Sequence, residues 1–188
     1  SLKNVVEPLP LIEKYGADTV RLFSLFAAPP ESMLEWSEAG VEGASRFLGR
    51  VWRLVIETVS RTATDEAQPL EAELRQKTHA TIKKVTDDIS GERFQFNTAI
   101  AATMELTNQA ITASQKSTLA GPALREAAEM LVRLLGPFAP HLAEELWARL
   151  GKPRFLATHP WPKYDPELAQ KKLVNYAVQV GGKMRGNV

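Results

Sequence analysis

Apolar residues recur along most of the chain at steps of three and one, the periodicity of an amphipathic α-helix. The clearest stripe falls within 44–59, and further stripes fall within 96–110, 124–135 and 142–150. The first stripe consists of Ala44, Phe47, Leu48, Val51, Trp52, Val55, Ile56 and Val59. Each pattern is long enough for a helix of several turns. The sequence therefore predicts an all-α fold in which these stripes face a shared core.

Two other segments extend this prediction. The stretch 17–26 reads as a short, strongly apolar helix, and 70–89 is helical by composition but weakly apolar. Because the second stretch offers few residues to bury, we expect it to lie outermost. Gly136-Pro137 ends the helix over 124–135, since proline cannot continue a helix. The proline-rich stretch 153–166 reads as a linker.

The period changes near the end of the chain. Val174, Tyr176, Val178 and Val180 alternate with other residues, which is strand patterning. Gly181-Gly182 follows and predicts a hairpin turn. A lone hairpin is marginally stable in water. We therefore expect a short β segment that begins a second domain, and we expect the chain to be a fragment of a longer protein.

Composition excludes several functions. The chain of 188 residues has no cysteine, so disulfides and cysteine-ligated metals are excluded. Its three histidines are far apart in sequence, and we predict no metal site. No apolar run reaches the ~18–20 residues of a membrane span. The net charge is only +1, but residues 152–188 hold seven basic side chains against two acidic ones. This basic tail is compatible with RNA contact and also with ordinary solvation.

No group of residues predicts a reaction. The adjacent pairs Glu144-Glu145 and Asp87-Asp88 diverge on a helix, so solvated faces explain them better than catalysis. His141 follows a proline and is expected to hydrogen-bond locally at a helix start. We therefore predict no catalytic residue in this chain.

Three arginines form the most suggestive surface. Arg46, Arg50 and Arg53 follow one another at steps of four and three, opposite the apolar stripe of the helix over 44–59. Guanidinium groups in a row suit a phosphate backbone by charge and by bidentate geometry. The alternative is a ridge of salt bridges to Glu42 and Glu57 or to a neighbouring domain, and the residues alone leave both interpretations open.

Two tryptophans lie outside the helical stripes. Trp36 is expected to anchor a loop onto the bundle, and stacking on an RNA base is the alternative. Trp161 stands between two prolines and is expected to anchor the linker.

Four stretches carry a family resemblance. SLKNVVEP at residue 1 resembles the SLGNVVDP-type segment that ends the KMSKS loop of class I aminoacyl-tRNA synthetases, with lysine in place of glycine and glutamate in place of aspartate. The run from YGADTVRLF through LEWSEAGVEGASRFLGRVW resembles the bacterial leucyl-tRNA synthetases. GPFAPHLAEELW is similar to a bundle helix of the Leu/Ile/Val/Met subgroup. VQVGGKMRG is similar to the start of the leucyl enzymes' C-terminal domain.

The resemblance implies an antiparallel helical bundle of the anticodon-binding type, with a short β segment at the C-terminus. It implies a connecting segment over 1–38, the bundle over 39–152, a linker over 153–172 and the start of a C-terminal domain over 173–188. These bounds are expectations.

The resemblance also implies a function for a longer parent chain. The parent is expected to be a cytoplasmic monomer that activates leucine with ATP and Mg, charges tRNA(Leu) and edits mischarged tRNA. Ser1 and Lys3 are expected near its ATP loop. Arg46, Arg50, Arg53, Lys183 and Arg185 are expected to contact tRNA(Leu). The fragment itself is expected to be non-catalytic, without a cofactor, and to adjoin the catalytic and C-terminal domains.

Other functions remain open. The chain could be a stand-alone RNA-binding module, the equivalent domain of an isoleucyl- or valyl-tRNA synthetase, or a helical scaffold without an RNA role. The LEWS…RFL run argues against the isoleucyl and valyl enzymes.

Overall fold

The computed structural model describes residues 7–27, 36–91, 94–153 and 155–170, together with the backbone of 177–180 and 183–187. Within these ranges the chain forms helices joined by short connections, followed by two strands. The helices are α1 (Pro8–Tyr15), α2 (Ala17–Ala27), α3 (Glu38–Ser60), α4 (Glu71–Ser90), α5 (Phe96–Ser114), α6 (Pro122–Leu135), α7 (Pro140–Arg149) and α8 (Pro166–Ala169). The predicted all-α bundle is confirmed.

Helix α3 is central to the bundle and packs against α2, α5, α6 and α7. One face of it contributes Phe47, Val51 and Val55 to the main core, where they meet residues such as Leu22 and Leu146. A smaller core lies between α3, α4, α5 and α6. It consists of Leu54, Leu74, Leu106, Ala110, Ala113, Ala123, Leu124, Ala127 and Leu131.

Helix α6 follows its sequence pattern closely. All six residues of the predicted stripe are buried: Leu124, Ala127, Ala128, Leu131, Val132 and Leu135. Pro122 opens the helix, where a missing N–H costs no hydrogen bond. The helix ends at Leu135, directly before Gly136-Pro137, as predicted.

The buried face of α3 is displaced from the predicted one. Val59 was expected in the core but is 48% exposed, whereas Leu54 is only 2% exposed. The cause is the smaller core, which buries the side of α3 that faces α5 and α6. A single helix pattern does not reveal that a helix packs on two sides.

The prediction that the helix over 70–89 lies outermost is wrong. Helix α4 packs against α5 and α6, and α8 covers another side of it. Its buried face includes Thr78, His79 and Asp88, which made the segment look weakly apolar. These polar groups are all bonded. The Thr78 hydroxyl donates to the Leu74 carbonyl at 2.9 Å, and Asp88 accepts from Lys84.

The segment 155–170 packs along the bundle. The Trp161 indole N–H donates to the Thr86 hydroxyl at 2.8 Å, and the backbone N–H of Asp165 donates to His79 Nδ1 at 2.9 Å. The expected role of Trp161 as an anchor is confirmed. His79 must then carry its proton on Nε2, which donates to Glu126 at 3.1 Å.

Two strands follow this segment. Strand β1 (Ala177–Val180) pairs antiparallel with β2 (Lys183–Asn187), and the pairing passes over Arg185 between Met184 and Gly186. The first part of the alternating stretch and the turn residues Gly181-Gly182 lie outside the described residues. Among the described helices, none has the length and apolar character required to cross a membrane.

Candidate nucleic-acid interface

The three predicted arginines lie on one solvent-facing side of α3. The helix begins after Ser37, whose hydroxyl accepts from the Gly40 N–H at 3.2 Å and caps the first turn. From that start, helical periodicity brings Arg46, Arg50 and Arg53 onto neighbouring turns. They line a common concave surface with Gly43 and Gly49, and we call these five residues the arginine face.

The arginines differ in how they are held. Arg46 is 70% exposed and lies 3.5 Å from the Glu42 carboxylate, a surface pair that contributes little to stability. Arg50 is half-buried and donates through Nη1 to Asn108 Oδ1 of α5 at 2.8 Å. Arg53 is exposed and forms no ion pair with any residue the structure describes. The salt-bridge alternative therefore holds for Arg46 alone, because Glu57 pairs with Arg61 instead.

Two glycines form the floor of the arginine face. A Cβ built at Gly49 meets no atom within 4 Å, and one at Gly43 meets only the Arg46 guanidinium, at 3.9 Å. Packing within the described bundle therefore does not require glycine at either position. A glycine inside a helix costs roughly 0.5–1 kcal/mol relative to alanine. Their effect is an open surface on which a partner's backbone can approach α3 closely.

A second concavity begins at Gly49, on the side of α3 that faces α2 and α7. Its walls include Tyr15, Asp18, Ser45, Gly49, Trp52 and His141, and we call it the Trp52 groove. Trp52 is half-buried and packs on the main core. Gly49 belongs to both surfaces, so the arginine face and the Trp52 groove are continuous.

Asp18 organises the far wall of this groove. Its Oδ2 accepts from the Leu142 N–H at 2.6 Å and caps α7, and its Oδ1 lies 2.9 Å from His141 Nδ1. The expectation of a local hydrogen bond for His141 is therefore wrong, because the partner comes from α2. The His141 side chain lines the groove and is 81% exposed.

Lys14 lies beside the groove, next to Tyr15. It donates to Glu38 at 3.2 Å, and its ammonium is 4.8 Å from the centre of the Tyr15 ring. The neighbouring Tyr15 and the hydrogen bond to Glu38 raise the pKa of Lys14 above its usual value. Lys14 therefore forms an exposed ion pair with Glu38 beside Tyr15.

The remaining predicted site residues are not brought to this surface by any described contact. Lys183 and Arg185 lie two positions apart in β2, where only the backbone is described. Ser1 and Lys3 lie outside the described residues. The roles expected for these four residues stay predictions.

Other polar side chains serve the fold. Both oxygens of Glu144 accept backbone N–H groups, from Leu156 at 2.7 Å and Ala157 at 3.0 Å. Trp36 packs edge-on against Phe23, with ring centres 5.2 Å apart, which supports the anchoring interpretation. In the described ranges no three acidic or histidine side chains come together as a metal site.

The sequence interpretation missed three residues of this surface. Asn108 gives no signal, because its role depends on α5 lying beside α3. Gly43 and Gly49 do give one: two helix-weakening residues lie three positions before Arg46 and directly before Arg50, on the helix that carries the arginines. That combination indicates a helix face shaped for close approach.

Comparison with known proteins agrees with this fold. A family described as the anticodon-binding domain of tRNA ligases matches residues 71–188. Proteins named leucine–tRNA ligase are similar over 98% of the chain. The one from Geotalea uraniireducens is 52% identical, and the one from Nitratidesulfovibrio vulgaris strain DP4 is 48% identical. The chain spans about a quarter of the length of these relatives, 23% and 24% respectively.

A solved structure shares the fold. The chain is similar to the LeuRS of Agrobacterium radiobacter K84 in its ternary complex with tRNA and LeuAMS, with a TM-score of 0.79 and 34% identity. The similarity covers all of this chain and 25% of that one. Because the family match spans well over half of the sequence, the chain belongs to the anticodon-binding domain family of tRNA ligases.

Proposed function

We propose that this chain is the tRNA-binding helical domain of a leucine–tRNA ligase, and that its arginine face contacts the phosphate backbone of tRNA(Leu). The observation that carries the proposal is the arginine face itself. Three guanidinium groups line one open concavity, and Gly43 and Gly49, which line it with them, leave the helix backbone accessible. Positive side chains that follow a groove position a nucleic-acid backbone without reading its sequence.

The leucine specificity of the proposal rests on the relatives. Those compared are named leucine–tRNA ligase at 48–52% identity, which favours this parent over an isoleucyl or valyl enzyme. The Agrobacterium LeuRS complex contains tRNA, which favours RNA binding over a helical scaffold without an RNA role. The arginine face precedes the span 71–188 of the family match, so its role is argued from its geometry.

The parent protein is proposed to activate leucine with ATP and Mg, to charge tRNA(Leu) and to edit mischarged tRNA in the cytoplasm as a monomer. This chain would adjoin its catalytic and C-terminal domains and take no part in bond making. Ser1 and Lys3 are proposed to neighbour the ATP loop. Lys183 and Arg185 are proposed as further tRNA contacts.

The test is a binding competition with the 188-residue chain at low salt. Labelled tRNA(Leu) is titrated with the chain and displaced with unlabelled tRNA(Leu) or tRNA(Ile). The proposal expects saturable binding that Arg46→Gln/Arg53→Gln weakens on the order of tenfold, because two phosphate contacts are lost. Arg149→Gln is the matched control, since Arg149 is an exposed arginine on α7 that pairs with Glu145. Equal effects of the double variant and the control would contradict the assignment.

A further inference from the structure

The Trp52 groove adjoins the arginine face and differs from it in chemistry. The arginine face offers charge, whereas the groove offers an indole ring, a tyrosine ring and an imidazole. The groove has a volume of about 570 Å³, within the ~300–1,000 Å³ range of sites that hold small organic groups. A phosphate backbone is bound through charge and hydrogen bonds, so aromatic walls would not contribute to its binding.

Gly49 sets the relation between the two surfaces. It lines both, and a Cβ at this position would meet nothing within 4 Å, so no side chain separates them. A nucleic-acid strand held by Arg53 and Arg46 therefore has its neighbouring nucleotides beside the groove mouth. Along α3, Arg46 and Arg53 lie three residues before and four residues after Gly49, so both share its face of the helix.

His141 lines the groove, and one of its two ring nitrogens is already engaged by Asp18. Its Nδ1 faces the Asp18 carboxylate at 2.9 Å, and a carboxylate only accepts, so the proton lies on Nδ1. In the neutral ring Nε2 is then an acceptor, and the side chain is 81% exposed. An acceptor at this place suits a ribose 2′-hydroxyl or the amino group of a base. The capping of α7 explains Asp18 but gives no role to His141 Nε2.

We infer that the Trp52 groove receives one unpaired nucleotide of the bound tRNA. Its base packs against Trp52, and its 2′-hydroxyl or amino group donates to His141 Nε2. Unpaired bases offer their faces to aromatic side chains, whereas the bases of a helix are stacked on each other. This inference rests on the proposed function and adds to it a preference for RNA with an accessible single nucleotide.

The experiment compares two RNAs with the 188-residue chain. One is a tRNA(Leu) transcript, and the other is a fully paired, blunt-ended RNA duplex. The variants are His141→Ala, Trp52→Leu and Trp52→Phe, and Phe155→Ala is the control because Phe155 is 71% exposed outside the groove. Affinities are measured at one low salt concentration, and melting temperatures are measured for every variant.

Loss of one stacked base lowers affinity by about tenfold. We expect that loss for tRNA(Leu) with Trp52→Leu, and a smaller loss with Trp52→Phe, which keeps a ring. His141→Ala removes one hydrogen bond and should weaken tRNA(Leu) binding by roughly two- to tenfold. The affinity for the duplex should be unchanged in all three. Trp52 packs on the core, so if Trp52→Leu unfolds the chain, His141→Ala and Trp52→Phe carry the test.

The outcomes separate the two proposals. If Arg46→Gln/Arg53→Gln weakens both RNAs while the groove variants weaken neither, the groove inference fails and the proposed function stands. Equal losses for both RNAs in the groove variants also overturn the inference. If the arginine variant weakens neither RNA, or the chain binds no RNA at low salt, both proposals fail.

Discussion

The Arg50 guanidinium donates through Nη1 to the side-chain oxygen of Asn108, at 2.8 Å. This bond joins α3 to α5 on the side of the bundle that carries the arginine face. It fixes one of the three guanidinium groups and still leaves other N–H donors of Arg50 for a ligand, since a guanidinium has five. Arg50 is therefore a positioned member of the face, whereas Arg46 and Arg53 reach into solvent.

The Arg50–Asn108 bond should appear as coupling in a double-mutant cycle. Arg50→Ala and Asn108→Ala should each lower the free energy of unfolding by about 1 kcal/mol, the contribution of one hydrogen bond. The double variant should lose little more than either single one. Urea unfolding of the four proteins measures this, and strictly additive losses would show that the two helices are not joined by this bond.

Gly49→Ala should stabilise the chain. The new Cβ meets nothing within 4 Å, and alanine is a better helix former than glycine, by about 0.8–1 kcal/mol. The same variant should weaken tRNA binding, because Gly49 is the open boundary between the arginine face and the Trp52 groove. Thermal unfolding and RNA titration of one protein sample test both effects.

Gly40→Ala is the matched control for this prediction. It lies on the same helix, but its Cβ would come 2.6 Å from Cε2 of the buried Phe23 ring. It should therefore destabilise the chain despite the better helix propensity. A rise in melting temperature for both variants would contradict this account of the glycines.

Asp18→Ala should destabilise the junction of α2 and α7. Asp18 caps α7 through the Leu142 N–H, and loss of a helix cap costs about 0.5–2 kcal/mol. Asp18→Asn keeps an acceptor oxygen and should lose less. Equal losses for the two variants in urea unfolding would mean that the cap contributes nothing beyond the charge of Asp18.

Trp161→Phe should loosen the segment 155–170 without unfolding the bundle. Phenylalanine keeps the apolar packing but cannot donate to the Thr86 hydroxyl, a bond of 2.8 Å in the structure. Amide hydrogen exchange should quicken in 155–170 and remain slow in α6. Unchanged exchange in that segment would show that packing alone holds it.

The sequence predicted those parts of the fold that depend on one helix at a time. The stripe of α6 and its end at Leu135 followed directly from periodicity and from Gly136-Pro137. Helix α4 was placed wrongly because Thr78, His79 and Asp88 look like surface residues. They are buried with their hydrogen bonds satisfied. Thr78 donates to the Leu74 carbonyl within α4, whereas His79 and Asp88 also find partners outside the helix, in Glu126 and Thr98.

Like the fold, the candidate site was predicted only where it depends on a single helix. Spacing alone brought Arg46, Arg50 and Arg53 together on α3. It could not supply Asn108 or the Asp18–His141 pair, because those partners lie 58 and 123 residues away in sequence. The Trp52 groove is formed by several helices and has no signature in any one of them.

The most direct test of the central claim is the salt dependence of tRNA(Leu) binding by the 188-residue chain and by Arg46→Gln/Arg53→Gln. Each lost phosphate contact should reduce the slope of log affinity against log salt concentration by about one. The account predicts a steep slope for the unaltered chain, a slope smaller by about two for the variant, and equal melting temperatures. A slope that the two substitutions leave unchanged would contradict it.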